Sequence, residues 1–219
     1  MLKHIPNALT LTRLILAPVI AWLFLTGIAT GVAGIDKAEF ANMARGVATY
    51  FTAAAVFFVV AALTDFFDGI AARAFNAHSK LGRIIDPIAD KALVGLPLIA
   101  VALIAWQRGD LAAVTIVFAT AVIVVRDVTM TVIRLTSPDG EGARVSSLAK
   151  WKTALELVVV GSLLVVSAIN AQMLANDPPI HIEPGYIQTF ETVWVGLLVI
   201  TAALSAYTGW QYLRPAKKG

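Results

Sequence analysis

Residues 46–90 read GVATYFTAAAVFFVVAALTDFFDGIAARAFNAHSKLGRIIDPIAD. Nineteen residues without a charge, 46–64, run into Asp65-Phe66-Phe67-Asp68-Gly69, and a second acidic pair, Asp86 and Asp90, follows. An uncharged run of that length matches the ~20 residues an α-helix needs to cross the hydrocarbon core of a bilayer. Carboxylates next to hydrocarbon are costly and persist mainly where something binds them. The stretch therefore predicts a membrane helix whose polar end lines a site.

The rest of the chain repeats the pattern. Of its 219 residues, 58% are hydrophobic and 14% charged, and the mean hydropathy is +0.79; soluble domains carry about 25% charged residues. Further uncharged runs span 14–35, 92–107, 111–125, 157–176 and 192–213. The runs 92–107 and 111–125 are short, but they abut segments carrying Asp86, Asp90 and Lys91 in one case and Arg126 and Asp127 in the other. Both read as full helices with one polar end. The fold expected is an all-α integral membrane protein: six transmembrane helices in a single domain over 1–219.

Residues 1–8 are expected to form a short N-terminal interfacial segment, with Pro6-Asn7 breaking the backbone and Asn7 or Thr10 capping the first helix. The first 27 residues mimic a signal peptide, but the apolar run is long and holds Arg13 at its start, so a retained first helix is expected. Residues 29–45 read as a partly helical outer connection, 136–147 as the longest inner loop and 177–186 as a proline-rich outer loop.

With the N-terminus inside, fourteen of the seventeen Lys and Arg fall at inner ends, leaving Lys37, Arg45 and Arg108 outside. That asymmetry predicts both termini in the cytoplasm. It also explains the basic balance without nucleic acid, for which no platform of interleaved basic and aromatic residues is present. There is no cysteine, which excludes disulfides and thiolate metal sites. His4, His78 and His181 are scattered and are not expected to be ligands.

Asp65 and Asp68 lie three residues apart, and Asp86 and Asp90 four apart, so each pair shares a helix face, about 60° and 40° apart around its axis. The short connection 74–82 is expected to make the helices it joins antiparallel neighbours, whose inner ends can bring the four carboxylates together. Four clustered anions repel one another. One or two Mg²⁺ or Mn²⁺ ions remove that conflict, since hard cations take carboxylate oxygens, and paired ions about 4 Å apart clamp displacements at phosphorus. Gly69, Ala72 and Gly82 leave room for a ligand to approach the backbone, and Arg73 adds a cation for phosphate. Eight such fixed positions coincide by chance on the order of 10⁻¹⁰ per starting position at average residue usage.

The pattern D-x-x-D-G-x-x-A-R, eight residues, G-x-x-x-D-x-x-x-D resembles the signature of the CDP-alcohol phosphotransferases. The resemblance implies a six-helix membrane enzyme of phospholipid synthesis, a homodimer, with two divalent ions. It implies that Asp65, Asp68 and Asp86 bind one metal ion and Asp65, Asp86 and Asp90 the other. Asp90 would be the catalytic base on the acceptor hydroxyl, and Asp68, Gly69, Ala72, Arg73 and Gly82 would form the nucleotide pocket. An alcohol attacks the β-phosphate of a CDP-lipid and CMP leaves.

Within that family, Ile5-Pro6-Asn7-Ala8-Leu9-Thr10-Leu11-Thr12-Arg13 and Asp86-Pro87-Ile88-Ala89-Asp90-Lys91 resemble the phosphatidylglycerophosphate and cardiolipin synthases. Arg126-Asp127 with Arg134, and Lys150-Trp151-Lys152-Thr153, resemble further segments of the former, with Asp127 in place of Glu and Ala149 in place of Gly. Independently, Arg126 and Arg134 fall about 80° apart around one helix, and Arg144, Lys150 and Lys152 lie across the next loop. Cations beside an acidic metal site call for an anionic acceptor, and arginine grips a phosphate bidentately.

The activity expected is CDP-diacylglycerol–glycerol-3-phosphate 3-phosphatidyltransferase, making phosphatidylglycerophosphate at the cytoplasmic face of a cell's inner membrane, with CDP-diacylglycerol and glycerol 3-phosphate as substrates among the membrane lipids. Phosphatidylglycerol, as in a cardiolipin synthase, and an inositol phosphate are the alternative acceptors. A cation transporter is a more distant alternative, predicting acids at mid-membrane and inverted repeats; the acids here cluster at one edge and no repeat is visible.

Overall fold

The computed structural model describes residues 5–32, 37–75, 82–136, 147–176 and 184–213. These form six helices: α1 (Ile5–Val32), α2 (Lys37–Phe75), α3 (Gly82–Trp106), α4 (Leu111–Thr136), α5 (Ser147–Asn176) and α6 (Pro184–Leu213). Each contains a stretch of 23 to 29 residues long and apolar enough to cross a membrane. The runs 92–107 and 111–125 do extend into full helices, of 25 and 26 residues.

Two expected boundaries move. The N-terminal segment is not a separate lead-in: α1 already runs from Ile5. Pro6 sits in its first turn, where the missing N–H has no intrahelical partner to lose and the fixed φ is helical. The connection expected over 29–45 is also mostly helix, because α1 continues to Val32 and α2 starts at Lys37. Lys37 and Arg45 lie before the apolar run 46–64 yet within α2, since a backbone leaving hydrocarbon remains hydrogen-bonded. The turn between α3 and α4 is tight. Gln107 and Arg108 donate backbone N–H groups to Ile104 and Ala105 at 3.1 and 2.9 Å, and Gly109 takes φ 68°, where a side chain would be strained. Asp110 then caps α4 through Ala113 N–H at 2.7 Å.

The helices close a ring in the order α1, α2, α5, α6, α4, α3. Among the described residues, direct contact between α2 and α3 is slight; α1 packs along both. The expectation that α2 and α3 are antiparallel neighbours is met only by this slight contact, because a short connection brings ends together and says nothing of what fills the groove between the helices. Small residues permit the close approaches. A Cβ on Gly27 of α1 would meet the Phe51 ring of α2 at 2.6 Å, and one on Gly161 of α5 would meet Phe58 at 3.1 Å. Ala54, Ala55 and Ala61 of α2 are buried. Gly196 of α6 faces open space.

The core holds Ile20, Phe24, Phe58, Leu98, Ile123, Leu164 and Leu198. Outward, the helices present Ile15, Leu103, Phe118, Val158 and Ile200, with Phe118 71% exposed. An apolar exterior on every helix of a bundle suits lipid rather than water. Trp22, Trp106 and Trp210 are exposed, whereas Trp194 is buried and donates its indole N–H to the Val159 carbonyl at 2.8 Å.

Candidate active site

The first half of α3 carries Asp86, Asp90 and Lys91, and α1 lies alongside. The Thr10 hydroxyl donates to the Asp86 carboxylate, and the buried Arg13 guanidinium pairs with Asp90. Thr10 with Asp86 and Arg13 with Asp90 advance in the same direction, so α1 and α3 run parallel. Thr10 is thus not a helix cap but a site residue. The Asp90 side chain remains 43% exposed, so its pair with Arg13 leaves it open to a ligand.

Asp65, Asp68, Gly69, Ala72 and Arg73 lie on the helical backbone of α2, and Gly82 opens α3. Their side chains fall outside the described residues, as do Arg144, His4, His78 and His181 entirely. At 1.5 Å rise per residue, Asp65 and Asp68 stand about 10–15 Å back from the end of α2, and Asp86 and Asp90 about 6–12 Å in from the start of α3. The backbone thus sets both pairs at comparable levels from one connection. Among the described residues no three His, Asp or Glu form a metal cluster; only the α3 half of the acidic constellation is among them. That half offers half-exposed carboxylate oxygens with no nitrogen or sulfur donor, which suits a hard divalent cation.

A second polar cluster begins one residue beyond Asp90. Lys91 Nζ lies 2.8 Å from Asp127 Oδ2 on α4 and 3.7 Å from Glu156 Oε2 on α5. Lys152 Nζ pairs with Asp127 Oδ1 and, one turn along its own helix, with Glu156 Oε1 at 2.5 Å. Arg126 Nη1 reaches Asp127 Oδ1 at 2.8 Å, and its Nη2 donates to Thr208 Oγ1 on α6 at 3.1 Å. Gly209 gives Arg126 its path, since a Cβ there would sit 3.1 Å from Arg126 Cγ. Asp127, Lys152 and Glu156 are buried, the last two at 0% exposure. Removing one partner from such a buried network costs about 3–5 kcal/mol, because the other charge is stranded.

Three cations against two carboxylates leave one net positive charge. Of the cations expected to grip an acceptor phosphate, Arg126 and Lys152 meet here through Asp127, while Arg134 and Lys150 are exposed near the ends of α4 and α5. Sequence reasoning missed Thr10, Arg13, Lys91 and Glu156 as site residues and took Asp127 only as a motif letter. The signal for Glu156 was present: a lone acid within an apolar span, one turn from Lys152, is by default a functional group.

A sequence model described as CDP-alcohol phosphatidyltransferase matches residues 3–207. A protein of Cereibacter sphaeroides named CDP-diacylglycerol–glycerol-3-phosphate 3-phosphatidyltransferase is 31% identical, over 97% of this chain and 95% of its own. Proteins of the same name from Rickettsia typhi, 29% identical over 99% and 98% of the two chains, and Bacillus subtilis, 32% identical over 74% and 76%, are also similar. With the signature acids on α2 and α3 of a six-helix apolar bundle, this match shows that the chain belongs to the CDP-alcohol phosphatidyltransferase family.

Proposed function

We propose that this transferase joins glycerol 3-phosphate to the phosphatidyl group of CDP-diacylglycerol, releasing CMP and forming phosphatidylglycerophosphate. The observation that carries the reading is the division of α3: Asp86 and Asp90 present partly exposed carboxylates, and the next residue, Lys91, enters a net-positive cluster with Asp127, Lys152, Glu156 and Arg126. A metal-type site and an anion-attracting site thus adjoin, as a reaction between a diphosphate lipid and a phosphorylated alcohol requires. The names of the relatives agree with it.

In this reading Asp65, Asp68, Asp86 and Asp90 hold two divalent ions, Mg²⁺ or Mn²⁺, which when bound neutralise the diphosphate. Asp68, Gly69, Ala72, Arg73 and Gly82 form the nucleotide pocket. Asp90 takes the proton from the acceptor hydroxyl as its oxygen bonds to the β-phosphorus and the bond from that phosphorus to the bridging oxygen breaks, CMP leaving with the oxygen. Arg13 holds the Asp90 carboxylate in place, and Thr10 does the same for Asp86. Arg126, Arg134, Arg144, Lys150 and Lys152 supply the positive field for the acceptor phosphate. The whole chain acts as one membrane domain, as a homodimer, with both termini and the site on the cytoplasmic side of the inner membrane, supported by the distribution of Lys and Arg. Release of CMP from CDP-diacylglycerol by the purified protein, across glycerol 3-phosphate, phosphatidylglycerol and inositol phosphate, tests the acceptor assignment.

A further inference from the structure

Glu156 has no part in the chemistry above, yet it is buried to 0% exposure in the middle of the cation cluster. Asp127 cannot hold that cluster alone. Its Oδ1 is shared between Lys152 and Arg126, and its Oδ2 is taken by Lys91. Glu156 supplies the second carboxylate to both lysines, Oε1 to Lys152 at 2.5 Å and Oε2 toward Lys91 at 3.7 Å. Neither oxygen makes a geometrically good hydrogen bond, so attraction between charges is what Glu156 contributes. An uncompensated second positive charge would drive the two ammonium groups apart. They stand on different helices, α5 and α3, and Lys91 is covalently next to Asp90.

We propose that Glu156 is a positioning residue for the acceptor side of the site. It fixes the Lys91 and Lys152 ammonium groups against Asp127 and keeps the cluster at one net positive charge, the field that an anionic acceptor meets. The ligand class it serves is a phosphate-bearing alcohol, so the inference rests on the function proposed above. It acts on acceptor affinity and not on the nucleotide or metal, whose residues lie on α2 and on the turns of α3 before Lys91.

The test uses the full-length protein in detergent with Mn²⁺, CDP-diacylglycerol and glycerol 3-phosphate, reading the two substrate KM values separately and Mn²⁺ affinity by electron paramagnetic resonance. Glu156→Leu is expected to raise the glycerol 3-phosphate KM about tenfold or more, with the CDP-diacylglycerol KM and Mn²⁺ affinity within about twofold of wild type. Glu156→Gln, which keeps the size and an oxygen but not the charge, is expected to recover little of that loss. Glu156→Asp preserves the charge balance but withdraws the carboxylate by one methylene, and is expected to raise the acceptor KM about threefold to fivefold; it carries the test if the leucine variant does not fold. An unchanged acceptor KM in the aspartate variant, or a parallel rise of both KM values with loss of Mn²⁺ binding, overturns the inference. A wild-type protein that releases CMP without need of a phosphorylated acceptor overturns the functional reading itself, whatever the variants do.

Discussion

The Arg13 guanidinium, buried on α1, pairs with the Asp90 carboxylate on α3. Seventy-seven residues separate them in the chain, and the parallel packing of α1 on α3 brings them together. A charge-assisted pair of this kind fixes a carboxylate that would otherwise rotate among positions in an exposed site. Arg13→Met is expected to lower kcat by about tenfold to a hundredfold with little change in either KM. Arg13→Lys recovers only part of it, since an ammonium lacks the planar fork. Steady-state kinetics in detergent check both variants.

Asp86 and Asp90 share a face of α3 and offer only oxygen donors. Asp86→Asn and Asp90→Asn are each expected to weaken Mn²⁺ binding by about tenfold or more, because a neutral amide attracts a hard cation less than a carboxylate does. Asp90→Asn also abolishes transfer while CDP-diacylglycerol still binds. Mn²⁺ titration by electron paramagnetic resonance, beside a lipid-binding assay, separates the two effects. Retained turnover in Asp90→Asn contradicts its role as base.

Much of this was legible in the sequence. Lipid demands long, internally hydrogen-bonded apolar segments, so α1 to α6 stand out as uncharged runs, and the short runs inside α3 and α4 pointed to polar ends. The order of helices around the ring was not legible, because it depends on which surfaces interlock, as Gly27 does against Phe51. Arg13 and Thr10 read as topology and capping residues for the same reason: their partners, Asp90 and Asp86, lie on another helix. Lys152 read as a phosphate ligand; its burial between Asp127 and Glu156 emerges only when α4 and α5 meet across α3. The boundary error at 1–8 came from treating proline as a helix end, and the helix within 29–45 is longer than expected because its charges do not end it.

Gly209 of α6 lies against the Arg126 side chain, where an added Cβ would stand 3.1 Å from Cγ. Gly209→Val displaces the guanidinium from Asp127 and Thr208. The expected result is a rise of about fivefold to tenfold in the acceptor KM with the CDP-diacylglycerol KM unchanged. Equal effects on both substrates would argue against Arg126 serving the acceptor.

At the opposite end of α3, Asp110 caps α4 and Arg108 bridges to Asp110 at 2.8 Å and to Glu191 of α6 at 2.6 Å. The Ala113 N–H, and then Arg108, hold the Asp110 carboxyl below its ordinary value of 3.8. A depressed folded-state pKa gives stability that is present above the unfolded value and lost as pH falls through the folded one. Asp110→Ala is therefore expected to lower the melting temperature by about 2–4 °C at pH 7. The difference should shrink only as pH drops below the ordinary carboxylate range.

CMP release from CDP-diacylglycerol by the purified protein, with divalent metal and a panel of acceptors, tests the central claim most directly. The prediction is release that requires both the metal and glycerol 3-phosphate. Release driven by phosphatidylglycerol or an inositol phosphate while glycerol 3-phosphate is inert, or turnover that persists without divalent metal, would contradict it.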